Sequence, residues 1–243
     1  MLLCVSRPTV RFVCLDCLLA VPCRLAQEQG KAAYCFPSGG SNALGTWGYV
    51  EVVRELKAQL DASGETVDRI YFACGSGGTA AGLALGVLWS GLGAAGTELV
   101  GLGVDDTPSF FYDKLDQIFD GLGVPRSVDG APSSSRALLR LEQCIGDGYA
   151  QSTDEELATI VEIARATGIV LDPVYSGKAA IGLVADLKAR PVKRALFIHT
   201  GGLMGLFAKE EQLAPLLQGG WRSFSGRPRE TTERERSRME PIG

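Results

Sequence analysis

Four short polar stretches, each containing glycine, hold the residues best able to do chemistry: "SGGSN" at 38–42, "GSGGT" at 75–79, "DPVYSGK" at 172–178 and "HTGG" at 199–202. In the second, Gly75, Ser76, Gly77, Gly78 and Thr79 stand between an apolar run and an Ala-rich helical pattern. Glycines let the backbone turn tightly and aim several N–H groups at one point. The helix that starts near Thr79 adds its positive end, and the hydroxyls of Ser76 and Thr79 add donors. Together these make an anion cradle suited to a phosphate. It is not a P-loop, because no lysine follows the glycines. The dinucleotide spacing begins at Gly75 and Gly77 but meets Ala80 at its third position. The acid for a ribose would have to be Glu98 or Asp105, only loosely placed. A glycine turn chosen for helix–strand packing is the plainer alternative.

The other stretches offer different groups. Tyr175 sits on a loop where a phenol could meet a ligand. Lys178 invites comparison with aldehyde-binding lysines, but it lies just inside a helix start and nothing nearby marks it as desolvated, so a solvated or helix-end role is the expectation. Thr200 either hydrogen-bonds a ligand or caps the helix that follows. His199 is the one histidine of the chain, and with no cysteine or serine placed to form a dyad it reads as structural.

These loops need elements to hold them. From about Leu44, Tyr49, Val52, Val53, Leu56 and Leu60 recur at helical spacing, and the "SGE" at 63–65 ends the pattern. "DRIYFAC" at 68–74 is almost unbroken in its apolar character, as a parallel strand covered on both faces would be. A helix over about 79–91, a strand over 97–104 and a helix over about 109–121 follow. Residues 123–137 read as a Pro/Ser/Gly-rich loop. Thr153 and Glu156 form a capping box before the stripe Leu157, Ile160, Val161 and Ala164, which Gly168 ends. "IVLDPVYSGKAAIGLVADL" reads as strand, loop and helix, and "RALFIHTGGLMGLFA" as strand, turn and helix. "AAYCFP" at 32–37 adds a short strand. Alternation with crossovers of helical length predicts an α/β fold with an open, mostly parallel sheet flanked by helices. In such sheets ligands sit at the carboxyl ends of the strands, where all four loops would converge.

Composition agrees. A chain of 243 residues with 46% hydrophobic residues can fill one sizeable α/β domain. The net charge of −4 disfavours nonspecific nucleic-acid binding, and no apolar run is long enough to span a bilayer. Residues 222–243 carry six Arg and four Glu, so the rest of the chain is near −6. From 219 the sequence is poor in aliphatics and reads as a disordered tail. The seven cysteines (4, 14, 17, 23, 35, 74 and 144) are odd in number and have apolar neighbours. That argues for reduced thiols in an intracellular, soluble protein rather than a disulfide framework. Cys14 and Cys17 lack a second ligand pair at zinc spacing, so no metal is expected. Arg7, Arg11 and Arg24, with no acid before Asp16, are faintly like an organelle transit segment, so the expected compartment is the cytoplasm or an organelle such as the mitochondrion.

The runs "PSGGSNALGTWGYVEVVREL", "FACGSGGTAAGLALG", "LDPVYSGKAAIGL" and "LFIHTGG", in this order, resemble the D-cysteine desulfhydrase and 1-aminocyclopropane-1-carboxylate deaminase family. That resemblance covers about residues 24–212 and implies pyridoxal 5′-phosphate on the tryptophan-synthase-β type of fold, a small amino-acid substrate and a homodimer. It implies that residues 76–79 hold the cofactor phosphate, that Tyr175 is the catalytic tyrosine beside cofactor and substrate, and that Ser176 and Thr200 lie near the pyridine nitrogen, where hydroxyls suit a neutral ring. The deaminase branch has a glutamate where this chain has Ser176, which favours the desulfhydrase: D-cysteine to pyruvate, ammonia and hydrogen sulfide. Lys178 belongs to the shared motif but is not the lysine that binds the aldehyde. The family's lysine lies in an N-terminal portion that residues 1–23 do not match, and no lysine precedes Lys31. The organisation expected is therefore a divergent segment 1–23, an α/β domain over 24–218 that is the C-terminal part of the family fold, and the tail 219–243. Two outcomes stand side by side: a lyase, or an inactive remnant that binds a phosphate ligand or a partner chain.

Overall fold

A computed structural model describes residues 24–25, 27–30, 32, 37–125, 127–128 and 130–217. The expectations for residues 1–23, for Lys31, for most of the 32–37 strand and for the tail from 219 lie outside the described residues.

Helix α1 (Ala43–Ser63) begins where the Asn42 side chain accepts the Gly45 amide at 2.8 Å and ends at left-handed Gly64. Its predicted apolar face, Tyr49, Val52, Val53, Leu56 and Leu60, packs on the core. Strand β1 (Arg69–Cys74) is buried at every position. Helix α2 (Gly78–Trp89) is buried from Ala80 to Val87 because it is apolar all round and α1 covers it. Strand β2 (Glu98–Gly103) and helix α3 (Pro108–Gly121), capped by Thr107, follow. Later come helix α5 (Asp154–Thr167) with both bonds of the predicted capping box, helix α6 (Ser176–Ala189), strand β6 (Ala195–Ile198), a 3-10 stretch (Leu203–Lys209) and the one-turn α7 (Glu210–Leu213).

The sequence reading departs from the structure at three places. Residues 123–137, expected as loop, hold a two-residue ladder of β3 (Ser127–Val128) with β4 (Ala131–Pro132) and the short helix α4 (Ser135–Leu138). Strand β5 (Arg140–Gln143) was not anticipated. It is a strand of four residues, at the edge of the sheet formed by the described residues, whose charged Arg140 and Glu142 hide its period, and its pairing with β2 is visible only in three dimensions. Conversely, "IVL" at 169–171 makes no strand. The Val170 carbonyl instead meets the His199 ring at 3.0 Å. His199 Nδ1 accepts the Gly201 amide, which leaves the proton on Nε2 for Val170. The histidine thus ties two loops together.

Among the described residues one main sheet forms, all parallel, in the order β5-β2-β1-β6. The chain runs from β1 outward to β2 and β5, then returns to the other side of β1. The direction of winding therefore reverses beside β1, the place where open α/β sheets leave a crevice. Alternate β1 residues serve the two faces: Ile70, Phe72 and Cys74 pack among α1, α2 and α3, while Tyr71 and Ala73 meet Ala179 of α6. Each fully buried side chain such as Ile70 or Phe72 contributes about 1.5–3 kcal/mol.

The amino end of the sheet is closed by charge. Arg69 bonds Glu98 (2.5 Å), Asp186 (3.0 Å) and the Tyr71 hydroxyl (3.0 Å), and Arg140 bridges Glu98 and Asp186. Glu98, one of the two acids considered for a ribose, is locked here, at the end of the sheet opposite the glycine loop.

Candidate active site

At the carboxyl ends of the strands lies a cavity of about 540 Å³. It is lined by the loop after β1 (Gly75, Ser76, Gly77, then Thr79 and Ala80), by Asp105 after β2, by Tyr149 after β5, by Tyr175 and by Thr200 after β6. Ser38 and Gly39 of the first loop close one side.

The glycine loop has the form its composition suggests. Gly77 is left-handed at φ 94° and begins α2 with no side-chain cap. An L side chain is strained in that conformation, so glycine is the residue that lets the strand turn straight into the helix. At Gly75 the reason is space, since an added Cβ would stand 2.8 Å from Tyr175 Cε1. The first-turn amide of Gly78 is already committed: it donates to Ser41 Oγ at 2.9 Å, and that hydroxyl donates onward to Ser76 Oγ at 2.7 Å. Ser41, buried and on the "SGGSN" loop, thus ties the first loop to the cradle. The sequence reading missed this role. The residues present fit a phosphate: a helix start whose N-cap residue is a glycine without a side chain, hydroxyls on Ser76 and Thr79, and glycines where side chains would fill the space.

Tyr175 is set by a neighbour that pattern reading also passed over. Asp172 is buried, and its carboxylate accepts the Val174 and Tyr175 amides on Oδ2 (2.8 and 2.9 Å) and the Ser176 amide and hydroxyl on Oδ1 (both 2.7 Å). This four-bond turn orients Tyr175 and starts α6. It also removes Ser176 from the cavity: Ser176 is 2% exposed and its hydroxyl is committed to Asp172. Ser176 and Gly78 are thus the two predicted site residues that the structure does not bring to the cavity lining.

The Tyr175 hydroxyl lies 2.5 Å from that of Tyr149, with the rings edge-on. Burial pushes the Tyr175 phenol above the ordinary tyrosine range, and the bond to Tyr149 pushes the same way. Asp105 is also raised, first by burial and then by Asp106. Both shifts run in the same direction, toward the protonated form relative to the free side chains. Tyr149 had one weak sequence signal, an aromatic residue in the glycine turn "GDGYA".

Lys178 corrects an expectation. It is not solvated: at 2% exposure it donates to the Ile145 carbonyl at 2.7 Å and pairs with Glu156 at 3.3 Å. No lysine is among the described residues that line the cavity. Thr200 lines it and does not cap the next helix, whose cap position is Gly202.

A family profile described as "Pyridoxal-phosphate dependent enzyme" matches residues 13–201. The chain is 44% identical over 201 residues to the bifunctional D-cysteine desulfhydrase/1-aminocyclopropane-1-carboxylate deaminase, mitochondrial, of Arabidopsis thaliana, a match covering 80% of this chain and 47% of that protein. It is 38% identical over 191 residues to the D-cysteine desulfhydrase of Serratia proteamaculans, covering 77% and 56% respectively. The crystal structure of an ACC deaminase homologue superposes with a TM-score of 0.66 at 31% identity, over 82% of this chain and 58% of that one. The chain thus spans about half the length of the curated relatives it matches.

Proposed function

Since this chain belongs to the pyridoxal-phosphate-dependent enzymes, in the group of D-cysteine desulfhydrases and ACC deaminases, we propose that its cavity holds pyridoxal phosphate and serves a lyase of the D-cysteine desulfhydrase type. The observation that carries this reading is the meeting of the glycine cradle, Thr200 and the Tyr149–Tyr175 pair in one cavity at the carboxyl edge of the sheet. When bound, the cofactor supplies an aldehyde for the substrate amine and an electron-withdrawing ring.

The chain's own residues have separable tasks. Ser76 and Thr79, with the backbone N–H groups of the loop and the α2 start, bind the phosphate and fix the ring's direction. Thr200, on the far side of β1, orients the ring end. Tyr175 holds its proton at the phenolic oxygen, and Tyr149 keeps that oxygen in place, so the pair can lend or take a proton beside the substrate. The net reaction consumes water and D-cysteine and releases pyruvate, ammonia and hydrogen sulfide. The substrate class is small amino acids; a homodimer rests on the family resemblance alone.

One observation favours a second reading. No described residue lining the cavity is a lysine; on this reading the described residues bind a phosphate ligand without forming a bond to its aldehyde. Thermal shift with pyridoxal phosphate against pyridoxal, then borohydride reduction and peptide mapping, separates the two. Stabilisation by the phosphate ester with a labelled lysine supports the lyase. Stabilisation without label supports the binder. No stabilisation by millimolar cofactor removes both. Sulfide release from D-cysteine, against ammonia release from 1-aminocyclopropane-1-carboxylate without sulfide, tells the desulfhydrase from the deaminase.

A further inference from the structure

A buried ammonium needs partners, because its charge has lost water. Lys178 stands in the first turn of α6 and directs Nζ away from the cavity, toward the loop that joins β5 to α5. Its two partners lie near the two ends of that loop. At one end is the Ile145 carbonyl, which also accepts the Gly148 amide and so closes the turn just before Tyr149. At the other end is Glu156, whose second oxygen accepts the Thr153 amide in the capping box of α5.

The contact is close-fitting. Gly146 is left-handed at φ 61°, and a Cβ there would stand 2.8 Å from Glu156 Oε1 and 2.9 Å from Lys178 Nζ. Between these anchors the chain is held in an unfavourable form: Ala150, next to Tyr149, is the positive-φ residue other than glycine among the described residues, at φ 58°. Such a conformation persists only when its surroundings impose it. Ser152, whose hydroxyl reaches the Pro173 carbonyl at 3.4 Å, adds a weaker tie to the Tyr175 loop.

We propose that Lys178, acting through Glu156 and the Ile145 carbonyl, is a positioning residue that sets Tyr149 against Tyr175. Lys178 and Tyr175 lie within one turn of the same helix start. The side chain that meets the cavity and the one that steers its partner are therefore carried by one rigid element. The importance of the tyrosine pair for catalysis rests on the lyase reading above; the clamp itself is a property of the chain without cofactor.

The test uses the full chain, without pyridoxal phosphate, carrying fluorotyrosine at position 175 and observed by fluorine NMR. Tyr149→Phe defines the resonance shift that follows loss of the hydroxyl partner. Folded Lys178→Met is expected to move the resonance in the same direction and by most of that amount, and the double variant is expected to add little. A Lys178→Met resonance that coincides with wild type, or shifts of the two variants that simply add, overturns the proposal, because a lysine that only supports packing would lower the melting temperature and leave this signal in place. Should Lys178→Met not fold, Glu156→Gln keeps the side-chain shape and an acceptor for Thr153 while weakening the hold on Lys178. It is expected to give a smaller shift in the same direction, and an unmoved resonance overturns the proposal. Failure of the chain to bind pyridoxal phosphate leaves these signals untouched, so the two readings fail separately.

Discussion

Asp172 is the residue on which the geometry of Tyr175 most depends, and Asp172→Asn measures that dependence. The carboxylate accepts four donors, two on each oxygen, at 2.7–2.9 Å. An asparagine offers one oxygen and one NH₂. If the NH₂ replaces Oδ2, the Val174 and Tyr175 amides face a donor. If it replaces Oδ1, the Ser176 hydroxyl can turn to accept, but the buried Ser176 amide is left without a partner. The second orientation is cheaper, and one unsatisfied buried amide costs about 1–3 kcal/mol. The two bonds that survive lose their charge assistance, roughly 1 kcal/mol more. The sum is a loss of about 2–4 kcal/mol, or a melting temperature lower by roughly 5–15 °C for a domain of this size. Asp172→Ala, which removes all four acceptors, is expected to lose more. Urea denaturation followed by far-ultraviolet circular dichroism gives the difference from the midpoint at constant slope. The cofactor stabilisation measured by thermal shift should fall with it, because Tyr175 is released. An Asp172→Asn protein within about 0.5 kcal/mol of wild type, the range of a neutral surface change, would refute the reasoning, since the four donors would then have other acceptors.

Two further outcomes follow from the same structure. Gly77→Ala puts a side chain at φ 94°; it should cost about 1–2 kcal/mol and, by turning the cradle amides, remove most of the stabilisation by pyridoxal phosphate, read from melts with and without the cofactor. Asp186 gives a pH dependence. Burial works to raise its carboxyl, but bonds from Arg140, Tyr71 and Arg190 outweigh burial and hold it well below the usual carboxylate range. A depressed folded value means stability that is fully present above the unfolded value of about 3.9 and is lost as pH falls toward the folded one. Asp186→Asn should be less stable than wild type by about 3 kcal/mol at pH 7 and flatter between about pH 5 and 2, as urea midpoints across that range would show; parallel curves for the two proteins would count against it.

Several features were legible in the chain because their causes are local. The α1 face from Tyr49 to Leu60, the left-handed stops at Gly64 and Gly168, and the Thr153–Glu156 capping box each depend on residues within a few positions of one another. The unbroken apolar run of β1 announced a strand covered on both faces. Glycines and hydroxyls after that strand announced an anion cradle, and the alternation of elements announced a parallel sheet with its loops at one edge. The rule that ligands sit at the carboxyl ends of parallel strands pointed Tyr175 and Thr200 toward the same crevice as the cradle, and both line the cavity.

Tertiary structure decided what depends on partners far along the chain. Strand β5 exists because β2 offers a ladder and Arg140 finds Glu98 and Asp186, 42 and 46 residues away. The "IVL" segment has strand composition, but its Val170 carbonyl is taken by the His199 ring rather than by a ladder amide. Ser41 reaches the cradle across 37 residues to Gly78, and Tyr149 reaches Tyr175 across 26. Two side chains of the same motif depart from their expected places for one reason. Ser176 and Lys178 sit on the first turn of α6, and a helix turns its residues to different sides, so Tyr175 meets the cavity while Ser176 folds back on Asp172 and Lys178 goes under the Tyr149 loop. Spacing in the sequence names the residues of such a motif, whereas the packing of the helix against its neighbours determines which of them meets the ligand.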